Sequence, residues 1–140
     1  MLVNQIAVFL ENRQGRIFEL TEALKKANIN MLVMSIADTS DYGILRAVTD
    51  DNAKAIKTLK EAGFTVNSTD LVGIEVEDRP GGLAEVLKVL YEGGIDIEYL
   101  YSFKKANDGN AIILFKVANI DKTIEIIKKS EVKLLEQKLY

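Results

Sequence analysis

The chain states one unit twice. Residues Val8 to Met31, VFLENRQGRIFELTEALKKANINM, align with Ile74 to Ile97, IEVEDRPGGLAEVLKVLYEGGIDI, without a gap at a constant offset of 66 positions. Identical at that offset are Glu11/Glu77, Arg13/Arg79, Gly15/Gly81, Glu19/Glu85, Leu24/Leu90 and Ile29/Ile95. Asn12/Asp78, Ile17/Leu83 and Asn30/Asp96 exchange like for like. A repeat of this length fixes the architecture before any local motif is read. The expected domains are residues 1–69 and 70–140, each of roughly 70 residues and near the small end of independent stability, so each unit leans on the other.

What is missing narrows the chemistry further. The 140 residues contain no Cys and no His. That removes thiol nucleophiles, disulfides, histidine acid/base pairs and soft-ligand metal sites, leaving carboxylates suited only to hard cations. No cofactor or metal is expected, and most catalytic classes fall away. A net charge of −3 and a pI near 5.1 argue against a partner chosen for its phosphates, such as a nucleic acid. The opening MLVNQIAVFLE is too short in its apolar run and too poor in basic residues for a signal peptide. No stretch reaches the length of a membrane span, and the expected location is the cytoplasm.

Periodicity places the elements. Ile6, Val8 and Leu10 alternate with Gln5, Ala7 and Phe9, the period of a half-buried strand that ends at Glu11. From Gly15 the period lengthens, and Ile17, Leu20, Leu24 and Ala27 fall on one face of an amphipathic helix. A hairpin follows, Val33 to Thr39 and Tyr42 to Thr49, turning through Ser40 and Asp41. A second helix carries Ala55, Ile56, Leu59 and Ala62, with Gly63 placed to cap it, and Phe64 to Val66 begin a last strand.

The second unit repeats the order, with Val72, Ile74 and Val76 on its first strand and Leu83, Val86, Leu87 and Leu90 on its first helix. Its hairpin turns through Asn107, Asp108, Gly109 and Asn110. The expected fold is α+β: two tandem ferredoxin-like βαββαβ units, each an antiparallel sheet with helices on one face. Asn67 to Asp70 is the only polar break between them, so the last strand of one is expected nearly to run into the first strand of the next, and a pseudo-twofold pair is expected. In the strand from Ala111 to Ala118 both rows are apolar, the pattern of a strand buried on both faces.

Both units place an amide or carboxylate, an arginine and then glycine at the passage from first strand to first helix. The first reads Asn12, Arg13, Gln14, Gly15, Arg16, Ile17, and the second reads Asp78, Arg79, Pro80, Gly81, Gly82, Leu83. Here the sequence resembles the ACT domain, a small-molecule-binding regulatory module whose corresponding passage commonly reads E-N-R-P-G-x-L. The resemblance covers nearly the whole chain as two copies. It includes ANINM at Ala27 to Met31, GGIDI at Gly93 to Ile97, and DYGILR from Asp41 to Arg46.

The resemblance implies a ligand bound at a domain–domain interface by the loop amide or acid and by the polar residue after the first helix. These are Asn12 and Asn30 in the first unit, Asp78 and Asp96 in the second. The glycines admit close backbone approach, and the N–H groups of the helix start favour a carboxylate, such as that of an amino acid. Asn12 and Asn30 donate and accept whereas ionised Asp78 and Asp96 only accept, so the first loop suits a carboxylate better. The serine-sensing branch carries a histidine two residues before the loop amide; Leu10 and Val76 stand there, against serine as the ligand.

Plainer readings stand beside these. Gly15 and Gly81 serve equally to turn into a helix, and Arg13 and Arg79 to pair with Glu11 and Glu77. Tyr99, Tyr101 and Phe103 form an aromatic row better explained by packing, and Asp38, Asp41, Asp50 and Asp51 fit turn and cap duties. The expectation is a non-catalytic amino-acid sensor, a homodimer acting on a partner enzyme of amino-acid metabolism. The alternatives are a structural or oligomerisation module, an acylphosphatase-like enzyme, whose first-loop signature is missing, and a single-stranded RNA binder, whose basic aromatic signature is missing.

Overall fold

The computed structural model describes residues 2–38, 41–104, 109–136 and 139, apart from the side chains of Asp38, Phe103 and Lys104. The chain divides into two compact units, with Asn4–Thr69 the body of one and Asp70–Lys138 the body of the other. Along the first run β1 (Leu2–Glu11), α1 (Arg16–Lys26), β2 (Met31–Asp38), β3 (Tyr42–Thr49), α2 (Asn52–Glu61) and the start of β4 (Thr65–Glu77). The second continues from the end of β4 into α3 (Gly82–Glu92), β5 (Ile97–Lys104), β6 (Asn110–Val117), α4 (Ile120–Lys128) and β7 (Lys133–Leu134).

In the first unit β3 lies between β1 and β2, antiparallel to both, with Val8 opposite Leu45 and Leu45 opposite Ile36. In the second, β6 lies between β4 and β5, and β7 pairs with the other side of β4 at Ile74 and Glu75. The order β7-β4-β6-β5 is that of the split βαβ arrangement.

Each unit has its own core. In the first, Ile6, Val8 and Leu10 of β1 and Leu45 and Ala47 of β3 meet Leu20, Leu24, Ala55 and Leu59 of the helices. In the second, Val72, Ile74, Phe115 and Val117 meet Val86, Leu90 and Ile127. Full burial of each large side chain contributes about 1.5–3 kcal/mol. The apolar double row of β6 is buried at Ile112, Ile113, Leu114 and Phe115 in succession. Leu135 covers part of the helix-free side: its Cδ2 would lie 3.1 Å from a Cβ on Gly73, close to Leu114.

Four local expectations are corrected or refined. Ile17 is 46% exposed, because it lies roughly 60° round the helix from Leu20, on the flank of the buried stripe. Ala62 is exposed, since α2 ends at Glu61 and Ala62 is its C-cap. Gln5, on the row opposite Ile6, is fully buried. Across the polar run Asn67 to Asp70 the two strands expected nearly to meet are continuous, and β4 passes through it as one strand of 13 residues. Asn67 and Ser68 are exposed in extended conformation, so polarity there marks exposure and not a strand end.

Gly63 closes α2 with φ 87°, as a left-handed cap requires. Asn28 and Gly94, one repeat apart, take φ 54° and 67° after α1 and α3. Tyr99 and Tyr101 are half-buried. Thr39, Ser40, Asn107 and Asp108 of the two expected hairpin tips lie outside the described residues.

Candidate functional site

Two loops stand where a strand hands over to a helix. In the first, exposed Asn12, Arg13, Gln14 and Gly15 lead from Glu11 to Arg16, the first residue of α1. Backbone bonds close it: the Arg13 N–H donates to the Glu11 carbonyl at 2.8 Å and the Arg16 N–H to the Arg13 carbonyl at 3.4 Å. The second loop repeats these bonds from Arg79 to Glu77 at 2.9 Å and from Gly82 to Arg79 at 3.1 Å. Gly15 and Gly81 hold φ 87° and 88°, a conformation that side chains resist.

Both glycines occupy the N-cap and so provide no side-chain cap of their own. The other two helices are built differently. Asp51 caps α2 and Asn119 caps α4, each accepting a backbone N–H at 2.9 Å, from Lys54 and Lys122. The helices that follow the loops therefore begin on an N-cap residue that supplies no side-chain acceptor, unlike the other two.

The arginines are held by glutamates on either side of the loop. Arg13 Nη1 and Nη2 donate to Glu19 Oε1 and Oε2, both at 2.9 Å. Arg79 Nη2 reaches Glu85 at 2.8 and 3.0 Å, and its Nε reaches Glu77 at 2.5 Å. Hydrogen bonds from Arg13 and then Arg16 hold the Glu19 carboxyl below its ordinary value, and the bond from Arg79 does the same for Glu77, with Lys133 adding a smaller attraction. The sequence carried this signal: Glu19 and Glu85 are among the identical pairs of the repeat. Their partners lie six residues away across a turn, a spacing that matches neither helix nor strand.

At one position the loops differ in kind. Arg16 is 11% exposed along its side chain, with Nε 2.7 Å from Glu11 Oε2, an ion pair lacking the alignment of a hydrogen bond. Its Nη1 meets Glu19 at 2.9 Å, its Nη2 approaches the Gly63 carbonyl at 3.5 Å, and its guanidinium lies 3.8 Å from the centroid of Phe64. The same position in the second loop is Gly82. It is buried, and a Cβ there would sit 2.3 Å from the Glu77 carbonyl oxygen.

Not all the anticipated residues come together. Asn12 donates its N–H to the Asp41 carbonyl at 3.3 Å, just before β3, whereas Asn30 exchanges bonds of 3.0 Å with Asp50, just after it. The length of β3 separates them, roughly 25–30 Å. The second unit does the same: Glu77 pairs with Asn110 at one end of β6 and Ile97 with Val117 at the other, so Asp78 and Asp96 lie at opposite ends. Ile17 is exposed and Leu83 half-buried at the loop mouths.

A cleft of about 580 Å³ lies beside the second loop, lined by Arg79, Gly82, Glu85, Val86, Asn110 and Lys133 among others. One of about 520 Å³ lies beside Arg16, between α1 and the end of α2, with Glu19, Ala23 and Phe64 in its wall. Among the described residues no group of three or more Asp or Glu is placed to hold a metal ion. No described helix is long and apolar enough to cross a membrane.

Comparison with known proteins bears on this arrangement. A family described as "ACT domain pair" matches residues 1–140. The crystal structure of protein BT0572 from Bacteroides thetaiotaomicron is similar at 46% identity and a TM-score of 0.89, over 96% of this chain and 92% of that one. The regulatory subunits of aspartate kinase from Thermus thermophilus (14% identity, 90% of this chain and 91% of that one) and Thermus flavus (15%, 92% and 94%) each give a TM-score of 0.61. That likeness is one of fold. Comparison with curated proteins found no match.

Proposed function

The chain belongs to the ACT domain family, as an ACT domain pair, and on that premise we propose that it is a non-catalytic regulatory protein that binds an amino acid and acts on a partner enzyme. The observation that carries the reading is the contrast among the four helix starts. α1 and α3 begin on left-handed glycines without side-chain caps, whereas Asp51 and Asn119 cap α2 and α4. A carboxylate at Asn12 to Arg16 would accept from N–H groups of the helix start, as the N-cap side chains of α2 and α4 do. The proposed ligand-binding residues are Asn12, Arg13, Gln14, Gly15, Arg16, Ile17 and Asn30, with Asp78, Arg79, Gly81, Gly82, Leu83 and Asp96 as their repeat counterparts.

Because Asn12 and Asn30 lie at opposite ends of β3, a ligand that touches both needs a second unit, which we assign to another copy of the chain in a homodimer. β2 is an edge strand, MLVMSIAD, uncharged until its last residue, with Met34 and Ile36 about two-fifths exposed. Such an edge invites pairing. Antiparallel pairing of two β2 strands about a twofold axis would bring Asn30 of one copy to the end of the other that carries Asn12.

Binding then works by linkage: the ligand favours the arrangement that completes its site, and a partner enzyme reads that arrangement. The test is thermal unfolding against the twenty amino acids. A ligand that binds only the folded protein raises the midpoint, and at 100 times its dissociation constant it adds about 2.7 kcal/mol. A rise confined to one or two amino acids, lost in Asn12→Ala and Asn30→Ala, supports the reading; no rise with any of the twenty overturns it.

A further inference from the structure

The two loops are closed by the same pair of backbone hydrogen bonds but carry different charge. From Glu11 to Glu19, Arg13 and Arg16 balance Glu11 and Glu19; from Glu77 to Glu85, Arg79 alone stands against Glu77, Asp78 and Glu85. The whole difference of two charges comes from two positions, Asn12 against Asp78 and Arg16 against Gly82.

The geometry shows what the extra arginine does. Arg16 takes Glu11 at 2.7 Å and shares Glu19 with Arg13 at 2.9 Å. If Arg13 leaves Glu19, that carboxylate keeps a cation. Arg13 has room to leave, its side chain being 52% exposed, while Arg16 is fixed between Glu11, Gly63 and Phe64. Arg79 has no such stand-in within its loop. It bonds Glu77 and Glu85 at once, and releasing it leaves Glu85 without its arginine and, among the described residues, Glu77 with the weaker attraction of Lys133. Asp78 adds a further negative charge where Asn12 is neutral.

We infer that the first loop alone accepts a ligand carboxylate: Arg13 is the residue that turns to it, Arg16 is the positioning residue that releases Arg13, and the second loop is a structural copy. The inference rests on the amino-acid-binding reading above and assigns one site per chain. It also accounts for Gly82 as a packing residue, since the second loop has closed onto Glu77 where the first keeps a side chain.

Calorimetric titration of the full chain with whichever amino acid raises the unfolding midpoint tests this. The expected result is one ligand per chain. Arg16→Gly, which installs the second loop's residue, weakens binding about tenfold or more, the worth of a hydrogen bond to a charged group. Arg16→Lys, which keeps the cation, restores most of it; a role confined to packing against Phe64 would not be rescued in this way. Asn12→Asp, a change at an exposed position, also weakens binding and keeps the inference testable if Arg16→Gly fails to fold. Two ligands per chain, or full affinity in Asn12→Asp, overturns the inference while amino-acid binding stands. No binding of any amino acid by the wild-type chain overturns both.

Discussion

Gly82 lies so close to the end of β4 that a Cβ on it would fall 2.3 Å from the carbonyl oxygen of Glu77. That atom is backbone, held by the Arg79 N–H at 2.9 Å, and cannot swing aside as a side chain would. Gly82→Ala must therefore open the loop or shift α3, and overpacking of this kind costs about 1–3 kcal/mol. Urea unfolding of Gly82→Ala is expected to show a midpoint shift of that size with an unchanged slope. A neutral result would mean that the second loop relaxes freely and is not fixed by this contact.

Gly15→Ala separates conformational from steric cost. A Cβ at Gly15 meets nothing within 4 Å, yet φ is 87°. The loss should be that of placing an L side chain in the left-handed region, about 1–2 kcal/mol, and Gly15→Asn should lose less because asparagine tolerates that region. Equal losses for the two variants, measured by urea unfolding, would contradict this account.

Asn52→Ala should be the costliest single polar change in the first unit. Asn52 is 7% exposed; its Oδ1 accepts from the Thr49 N–H at 2.9 Å and the Thr49 hydroxyl at 2.8 Å, and its Nδ2 donates to the Asn4 carbonyl. Removing the amide leaves the fully buried Thr49 donors and a part-buried carbonyl without it. Each buried group left unsatisfied costs about 1–3 kcal/mol, so a loss of about 3 kcal/mol or more is expected on unfolding in urea. Asn52→Asp, which keeps the acceptor and loses the donor to Asn4, should fall between wild type and alanine.

The fold was legible because the repeat and the two periodicities agree. Ile6, Val8 and Leu10 alternate, Leu20 and Leu24 recur at helical spacing, and each pattern has a partner one repeat away. What stayed hidden depends on contacts that spacing does not encode. Arg13 and Glu19 meet across a left-handed turn, so the repeated glutamate was visible and its purpose was not. Gly82 reads as one more turn glycine until the Glu77 carbonyl is set against it. Asn12 and Asn30 read as one site because the repeat couples them, although β3 holds them apart. Gln5 is buried although it stands on the row opposite Ile6, and Ile17 is exposed because it lies on the flank of the helix stripe; neither follows from the period alone.

Acid should loosen the first loop, and the sign follows from the direction of the shift. Hydrogen bonds from Arg13 and Arg16 lower the folded-state value of Glu19 from its ordinary 4.5. The folded protein thus binds this proton less readily than the unfolded chain, and the stabilisation is present above about pH 4.5 and lost as pH falls through the depressed folded value. Glu77 beside Arg79 and Glu125 beside Lys129 shift the same way, so their contributions fade in the same window. All three carboxylates face solvent, and salt should weaken the effect. Urea midpoints measured from pH 7 to pH 3 are expected to fall below about pH 4.5, less steeply in Glu19→Gln than in wild type and less steeply again in 1 M salt. An identical pH profile for wild type and Glu19→Gln would show that the Arg13–Glu19 pair does not persist in solution.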